Sequence, residues 1–261
     1  MTEPTDFTAQ EATAVHTRAL KVSLAPDEAR AFWREYDPQL PKADLALTAF
    51  EGRWFGNKSV SRVKDLINAC FERFVAFPHA LEVLRRWLPR DATTHAVICH
   101  WHVQLADPLY RDFTTRFLGP LRLRHQTAVD RDLVSEWLRE RWGERWSLAT
   151  IFRMASGLMT TAQGAGLLSD GVSRQLRMPD VPDEALAYLL YALRRVQYDG
   201  DLLDNPYLAS VDLQGAALRR RLDRLPGITF QSMMQLTDMT WEHPDLMSWA
   251  RAHLHLRTVE S

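Results

Sequence analysis

The sequence is poor in lysine, cysteine and glycine, and it carries no long apolar run. Lys21, Lys42, Lys58 and Lys64 are the only lysines among 32 cationic side chains; the rest are arginine. Arginine pairs bidentately with carboxylate and with phosphate, so this skew suits ion-pair networks and nucleic-acid contacts equally. A formal charge of −1 excludes a uniformly basic coat but leaves room for a local patch. The two cysteines, Cys70 and Cys99, fall in apolar helical contexts and read as reduced core thiols, not as a disulfide framework. No stretch reaches the roughly 18 apolar residues of a membrane-spanning helix. The N-terminus lacks the basic and apolar regions of a secretion signal. A cytoplasmic chain with no membrane partner is the expectation.

Catalytic signatures are missing as well. There is no GxGxxG, no phosphate-binding GxxxxGK[ST] loop and no GxSxG elbow. Gly164-Ala165-Gly166 follows a helical pattern, whereas a dinucleotide loop follows a strand. Asp130/Asp132 and Asp180/Asp183 sit at helix starts, where acids cap or complement the dipole. His95, Cys99 and His102 are spaced to share one helical face, with His100 beside them, and could offer three zinc ligands. A structural site needs a fourth, and Val97, Ile98, Trp101, Val103 and Leu105 make the segment read as buried helix. The expectation is a protein that is not an enzyme and has no cofactor and no metal. A hidden hydrolase would require a pocket with perturbed titratable groups.

What is present is helical periodicity. Hydrophobic residues make up 46% of the 261, enough for one large core or two modest ones. Residues 1–12 read as a fraying end and 13–21 as a short helix. Pro26-Asp27-Glu28 opens a helix that carries Phe32 and Trp33 and stops before Pro38. Leu45, Leu47 and Ala49 suit either a strand or a helical turn. Val60, Val63, Ile67, Cys70, Phe71 and Phe74 mark a long amphipathic helix over about 58–76. Further helices are expected from Pro78 to Leu88, over 91–105, and over 107–118 with a stop at Gly119-Pro120. A basic loop over 119–127, containing Arg122, Arg124 and His125, leads to a helix through Leu133, Val134, Trp137 and Leu138 that ends near Gly143.

Ser147 then caps a helix whose apolar face is read as Leu148, Ile151, Phe152, Ala155 and Leu158. An extended piece at Arg174–Met178 precedes a helix opened by Pro182-Asp183-Glu184. A helix over 212–225, a hairpin over 228–242 and a closing helix from Pro244 complete the chain. In the hairpin Ile228 and Phe230 alternate with Thr229 and Gln231, and Thr237, Met239 and Trp241 with Asp238 and Thr240. The Met233-Met234-Gln235-Leu236 turn is a poor one. The fold class is therefore mainly α: an N-terminal helical bundle over 1–120, and a helical, winged-helix-like half over 121–261 with a small β-hairpin.

Two basic clusters stand out. On the 212–225 helix, Leu218, Leu222 and Leu225 set the buried face, Arg220 and Arg224 lie nearly opposite, and Arg219 and Arg221 flank them. Four such cations could neutralise several phosphates, or could pair with Asp212, Asp223 and other acids as solvated surface. The second cluster, Asn57, Lys58, Ser59, Ser61, Arg62 and Lys64, joins hydroxyls and cations to a helix N-terminus, whose free N–H groups suit anions. A plain serine cap with surface charges is the other reading.

Gly56-Asn57-Lys58-Ser59-Val60-Ser61-Arg62-Val63-Lys64, with the helix ending Glu72-Arg73-Phe74, resembles the BrxA family of BREX bacteriophage-exclusion systems. Leu105-Ala106-Asp107-Pro108-Leu109-Tyr110-Arg111-Asp112-Phe113, Trp146-Ser147-Leu148-Ala149-Thr150, Ala165-Gly166-Leu167-Leu168, Ala187-Tyr188-Leu189-Leu190 and the Ile228-Thr229-Phe230 region follow in the family's order, spanning about 56–256. No one of these motifs is diagnostic alone; the collinear set carries the resemblance. It implies a NusB-like helical bundle in a non-enzymatic defence component that binds double-stranded DNA beside a separate methyltransferase, ATPase and phosphatase-like protein. The alternative is a protein-interaction adaptor that bridges those subunits through apolar helix faces.

Overall fold

The computed structural model describes residues 7–17, 21–124, 127–233 and 236–258, the hairpin side chains from 231 to 238 excepted. His125, Met234 and Gln235 lie outside the described residues, as do the side-chain contributions expected of Gln231, Thr237 and Asp238.

The chain opens with β1 (Ala9–Gln10) and continues through α1 (Pro26–Glu35), α2 (Lys42–Glu51), α3 (Val60–Cys70), α4 (Pro78–Trp87), α5 (Ala92–Ala106), α6 (Pro108–Asp112) and α7 (Leu118–Leu123). A π-helical turn, Phe71–Val75, extends α3, and another, Phe113–Phe117, joins α6 to α7. Then come β2 (Ala128–Val129), α8 (Arg131–Trp142), α9 (Leu148–Gly164), β3 (Arg174–Gln175), α10 (Asp183–Leu193), β4 (Val196–Gln197), α11 (Pro206–Ala209), α12 (Gly215–Leu222), β5 (Ile228–Met233), β6 (Leu236–Trp241) and α13 (Leu246–His253). The fold is mainly helical, as the periodicity predicts. Among the described residues, three small strand pairs accompany the helices: parallel β1–β4, antiparallel β2–β3 and the antiparallel hairpin β5–β6.

Local chemistry sets the helix starts. Ser59, Asp91, Asp107, Asp130, Ser147, Asn205 and Asp245 each accept a backbone N–H from the first turn that follows, satisfying donors that the helix cannot. α5 and α10 are the centre of the fold. From Thr94 to Ala106 nearly every α5 side chain is buried, and every α10 residue from Ala185 to Leu193 is buried. A helix apolar all round belongs inside, and α5 packs against α1, α6, α9 and α10. The buried residues form one cluster from Val22 to Leu254, with members on both sides of residue 120.

Four local readings need correction. Residues 7–12 are docked, not frayed: β1 lies along β4, and the Ala12 N–H donates to the Leu105 carbonyl. The helix expected at 13–21 is absent from 13–17 and 21; Ala12 and Val15 instead give their carbonyls to Arg111 and Arg145. The stop expected at Gly119-Pro120 fails because Pro120 falls in the first turn of α7, where no intrahelical N–H is required. Arg122 is thus helical and donates to the Ser210 carbonyl at 2.9 Å. On α9 the buried face is Ile151, Met154, Ala155, Leu158 and Met159, whereas Leu148 and Phe152 are 63% and 41% exposed. Both faces carry apolar side chains, so periodicity alone cannot choose between them.

Candidate nucleic-acid interface

The imidazoles of α5 are structural. His102 Nδ1 lies 2.6 Å from the Arg73 carbonyl and Nε2 lies 2.8 Å from the Tyr188 hydroxyl. A carbonyl only accepts, so Nδ1 carries the proton and Nε2 accepts from tyrosine. His100 bridges the Tyr110 and Ser210 hydroxyls, each at 2.9 Å. Ser210 donates onward to the Tyr207 carbonyl at 2.7 Å, which makes His100 Nε2 the donor and Nδ1 the acceptor. His95 packs against the Trp33 ring. Burial depresses all three, His95 and His102 to about 4 and His100 to about 3. Burial also pushes the Cys70 thiol up to about 12 and raises Cys99, so neither is a ready nucleophile.

Arg73 has a related role. Its guanidinium donates to the Val22, Ser23 and Leu24 carbonyls at 2.8–3.1 Å, fastening the strand of chain that enters α1. Burial lowers its pKa.

The 57–64 cluster is partly engaged. Ser59 caps α3 by accepting the Arg62 N–H at 3.3 Å. Arg62 donates to the Lys21 carbonyl, and Lys58 Nζ pairs with Glu28 Oε1 on α1 at 3.1 Å. Asn57, Ser61 and Lys64 are exposed.

The arginines of α12 divide in the same way. Arg221 is turned inward, its Nε donating to Asp183 Oδ1 at 2.8 Å and its Nη2 to the Val181 carbonyl. Arg224 reaches Asp183 Oδ2 at 3.4 Å. The acid that engages this helix is therefore Asp183 at the start of α10. Arg219 and Arg220 are exposed and have no ion-pair partner among the described residues. They also stand in the last turn of α12, where cations complement the helix dipole.

Between α1, the exit of α4 and the start of α10 lies a feature the sequence reading missed. A cleft of about 580 Å³ is lined by Arg30, Arg34, Arg90, Arg257 and His255, over a floor of Trp87, Leu88, Pro89 and Leu254, with Glu184 as the one acid among the described residues that line it. Arg30 and Arg34 are one turn apart on α1, and Arg30 Nε donates to the Pro89 carbonyl at 3.3 Å. Leu88 ends α4 in the left-handed region at φ 43°, an unfavourable geometry for a side chain with a Cβ; it turns the chain so that Pro89 and Arg90 face α1. The Arg257 N–H donates to the Arg86 carbonyl, bringing the C-terminal segment to the same rim. Glu184, which lines the cleft, follows Asp183, which holds Arg221, at the start of α10. Glu28 and Arg30 are two residues, about 200°, apart on α1, so Lys58 pairs on the flank of α1 away from the cleft. The cleft arginines span residues 30 to 257, and no linear window contains them.

The comparisons agree with this architecture. The solved structure of an uncharacterized protein from Magnetospirillum magneticum is similar in fold, with a TM-score of 0.54 and 16% identity, covering 70% of this chain and 97% of that one. No curated protein matches the chain. The BrxA family profile matches residues 16–191, about two thirds of the sequence, and includes the α3 start, the α5–α6 junction and the Ser147 cap. The chain belongs to the BrxA family and is thereby a component of BREX bacteriophage defence.

Proposed function

We propose that this BREX component acts without catalysis, by binding duplex DNA chiefly through the phosphate backbone. The observation that carries the reading is the gathering of Arg30, Arg34, Arg90 and Arg257 around one cleft, with Arg219 and Arg220 exposed on α12 as a second cationic set. Each phosphate neutralised by an arginine releases condensed counterions and so favours binding at low salt. Such contacts position a protein without reading sequence. The order α12, hairpin, α13 is winged-helix-like and would set β5–β6 next to the same groove. Asn57, Ser61 and Lys64 are proposed as a further phosphate contact on the other flank of α1. The methyltransferase, ATPase and phosphatase-like proteins of the system are the proposed protein partners.

Fluorescence anisotropy with duplex DNA across a salt series tests this. An Arg219→Ala/Arg220→Ala variant should bind all sequences more weakly and flatten the slope of log K against log salt by roughly two. A folded variant with wild-type affinity and slope would remove α12 from the interface. The adaptor reading has its own observation, the exposed pair Leu148 and Phe152 one turn apart on α9. It moves ahead if the Arg219/Arg220 and Arg30/Arg90 variants both bind DNA normally.

A further inference from the structure

The hairpin returns to the body of the protein at Glu242 and His243, and there it meets the last residue of α13, His253. His243 Nε2 and His253 Nε2 face each other at 2.9 Å, and one carboxylate oxygen of Glu242 lies within 4.8 Å of a ring nitrogen of each histidine. We propose that Glu242, His243 and His253 form a binding site for a divalent first-row transition-metal ion, best zinc, that staples the hairpin to α13.

Geometry supports the assignment. Two Zn–N bonds of 2.0–2.1 Å at a tetrahedral angle hold their nitrogens about 3.3 Å apart. The observed separation therefore needs to open by only a few tenths of an ångström. In the metal-free state one Nε2 must donate a proton to the other. Binding moves that proton to Nδ1 of the same ring, which frees both Nε2 lone pairs and keeps both imidazoles neutral. The Glu242 carboxylate is on an exposed side chain and, among the described residues, accepts one 3.3 Å bond, from Thr229 Oγ1, so a rotamer change suffices to bring it to the ion. Water would take the fourth position.

The surroundings are built for close approach of the two rings. Gly227, at φ 79°, leaves open the space beside them. A Cβ there would sit 3.1 Å from His243 Cδ2 and from His253 Nε2, and 2.6 Å from Trp249 Cδ1. The backbone fixes the two ligating elements independently. The Glu242 N–H donates to the Gly227 carbonyl, Arg194 donates to the His243 carbonyl, and Asp245 caps α13. Two imidazoles and a carboxylate are a donor set that zinc accepts. This trio is separate from His95, Cys99 and His102, whose surroundings were described above.

Isothermal titration with zinc chloride on EDTA-treated full-length protein, with metal analysis after gel filtration, provides the test. The expected result is one equivalent, with cobalt(II) giving the visible bands of a four-coordinate site. His243→Ala and His253→Ala should each abolish stoichiometric binding, and Glu242→Gln should weaken it about tenfold or more. His255→Ala, a neighbouring exposed imidazole outside the trio, should leave it intact. Far-UV circular dichroism checks that each variant is folded. Absence of saturable zinc binding would overturn the proposal, and so would an equivalent that survives in both histidine variants.

Discussion

Three neutral histidines around α5 make acid the natural way to unfold this protein. Each titrates near 6.5 in a solvated chain, whereas in the fold His95 and His102 are held at about 4 and His100 at about 3. Depressed histidines favour the fold only while neutral. Their effect is nil above pH 6.5, and stability falls as pH drops below that value because the unfolded chain takes up protons that the folded one refuses. At pH 5 each contributes a loss of roughly 2 kcal/mol relative to pH 8, or about 6 kcal/mol for the three. Asp107 works in the opposite sense. Burial raises its pKa, so protonation relieves a penalty as pH falls, whereas His79 on α4, also depressed by burial, adds to the loss; about 6 kcal/mol is the share of the three α5 imidazoles. Against a typical stability of about 5–15 kcal/mol, this loss would bring the protein close to unfolding at pH 5. Urea titrations at pH 8, 6.5 and 5, followed by circular dichroism, measure it. In a His102→Asn variant the Asn amide can still donate to the Arg73 carbonyl, and about a third of the pH dependence should vanish. A difference below about 1 kcal/mol between pH 8 and pH 5 would refute the assignment of neutral, buried imidazoles. So would an unchanged pH dependence in His102→Asn.

Three further outcomes are expected. Arg73→Ala removes charge-assisted bonds to three carbonyls and should lower stability by about 3 kcal/mol or more, read from the denaturation midpoint. Glu11→Ala leaves Arg111 buried without its ion-pair partner, 3.3 Å away, and should destabilise by about 3–5 kcal/mol, with early protease cleavage near the N-terminus. Arg30→Ala/Arg90→Ala, on the cleft rim, should change stability by no more than about 1 kcal/mol while weakening duplex binding and its salt dependence, measured by anisotropy; unchanged binding would take the cleft out of the interface.

Much of the architecture was legible because local chemistry wrote it. Ser147 caps the helix it was read to cap, Ser59 takes the cap role that stood as the alternative to anion binding, and Ile228, Phe230, Met239 and Trp241 alternate inward against exposed Thr229 and Thr240. The misreadings share a cause, which is that a tertiary partner decided the outcome. Leu148 and Phe152 fit an apolar face as well as Met154 and Met159 do, and only the packing of α9 separates them. Arg221 looked like its neighbours until Asp183, 38 residues away, turned it inward. The cleft was invisible because its four arginines come from α1, the α4 exit and the C-terminal segment. Glu242, His243 and His253 carried no recognisable spacing, since their approach depends on the hairpin's return and on Gly227.

The parallel pairing of β1 with β4 has a consequence for the order in which the chain is made. Thr8 and Ala9 donate to the Arg195 carbonyl, 187 residues downstream of Thr8, and the Glu11 carboxylate accepts from the Asp199 N–H and the Tyr207 hydroxyl. The first described residues to leave the ribosome are thus among the last to find their places. Until β4 and α11 have emerged, the Glu11 carboxylate lacks the Asp199 N–H and the Tyr207 hydroxyl that hold it beside Arg111. At about 5–20 residues per second, the N-terminal segment waits on the order of 10 seconds or more with its partners unsynthesised. A chain interrupted before β4 and α11 would therefore lack this closure and present an unfinished surface to proteases and to partners.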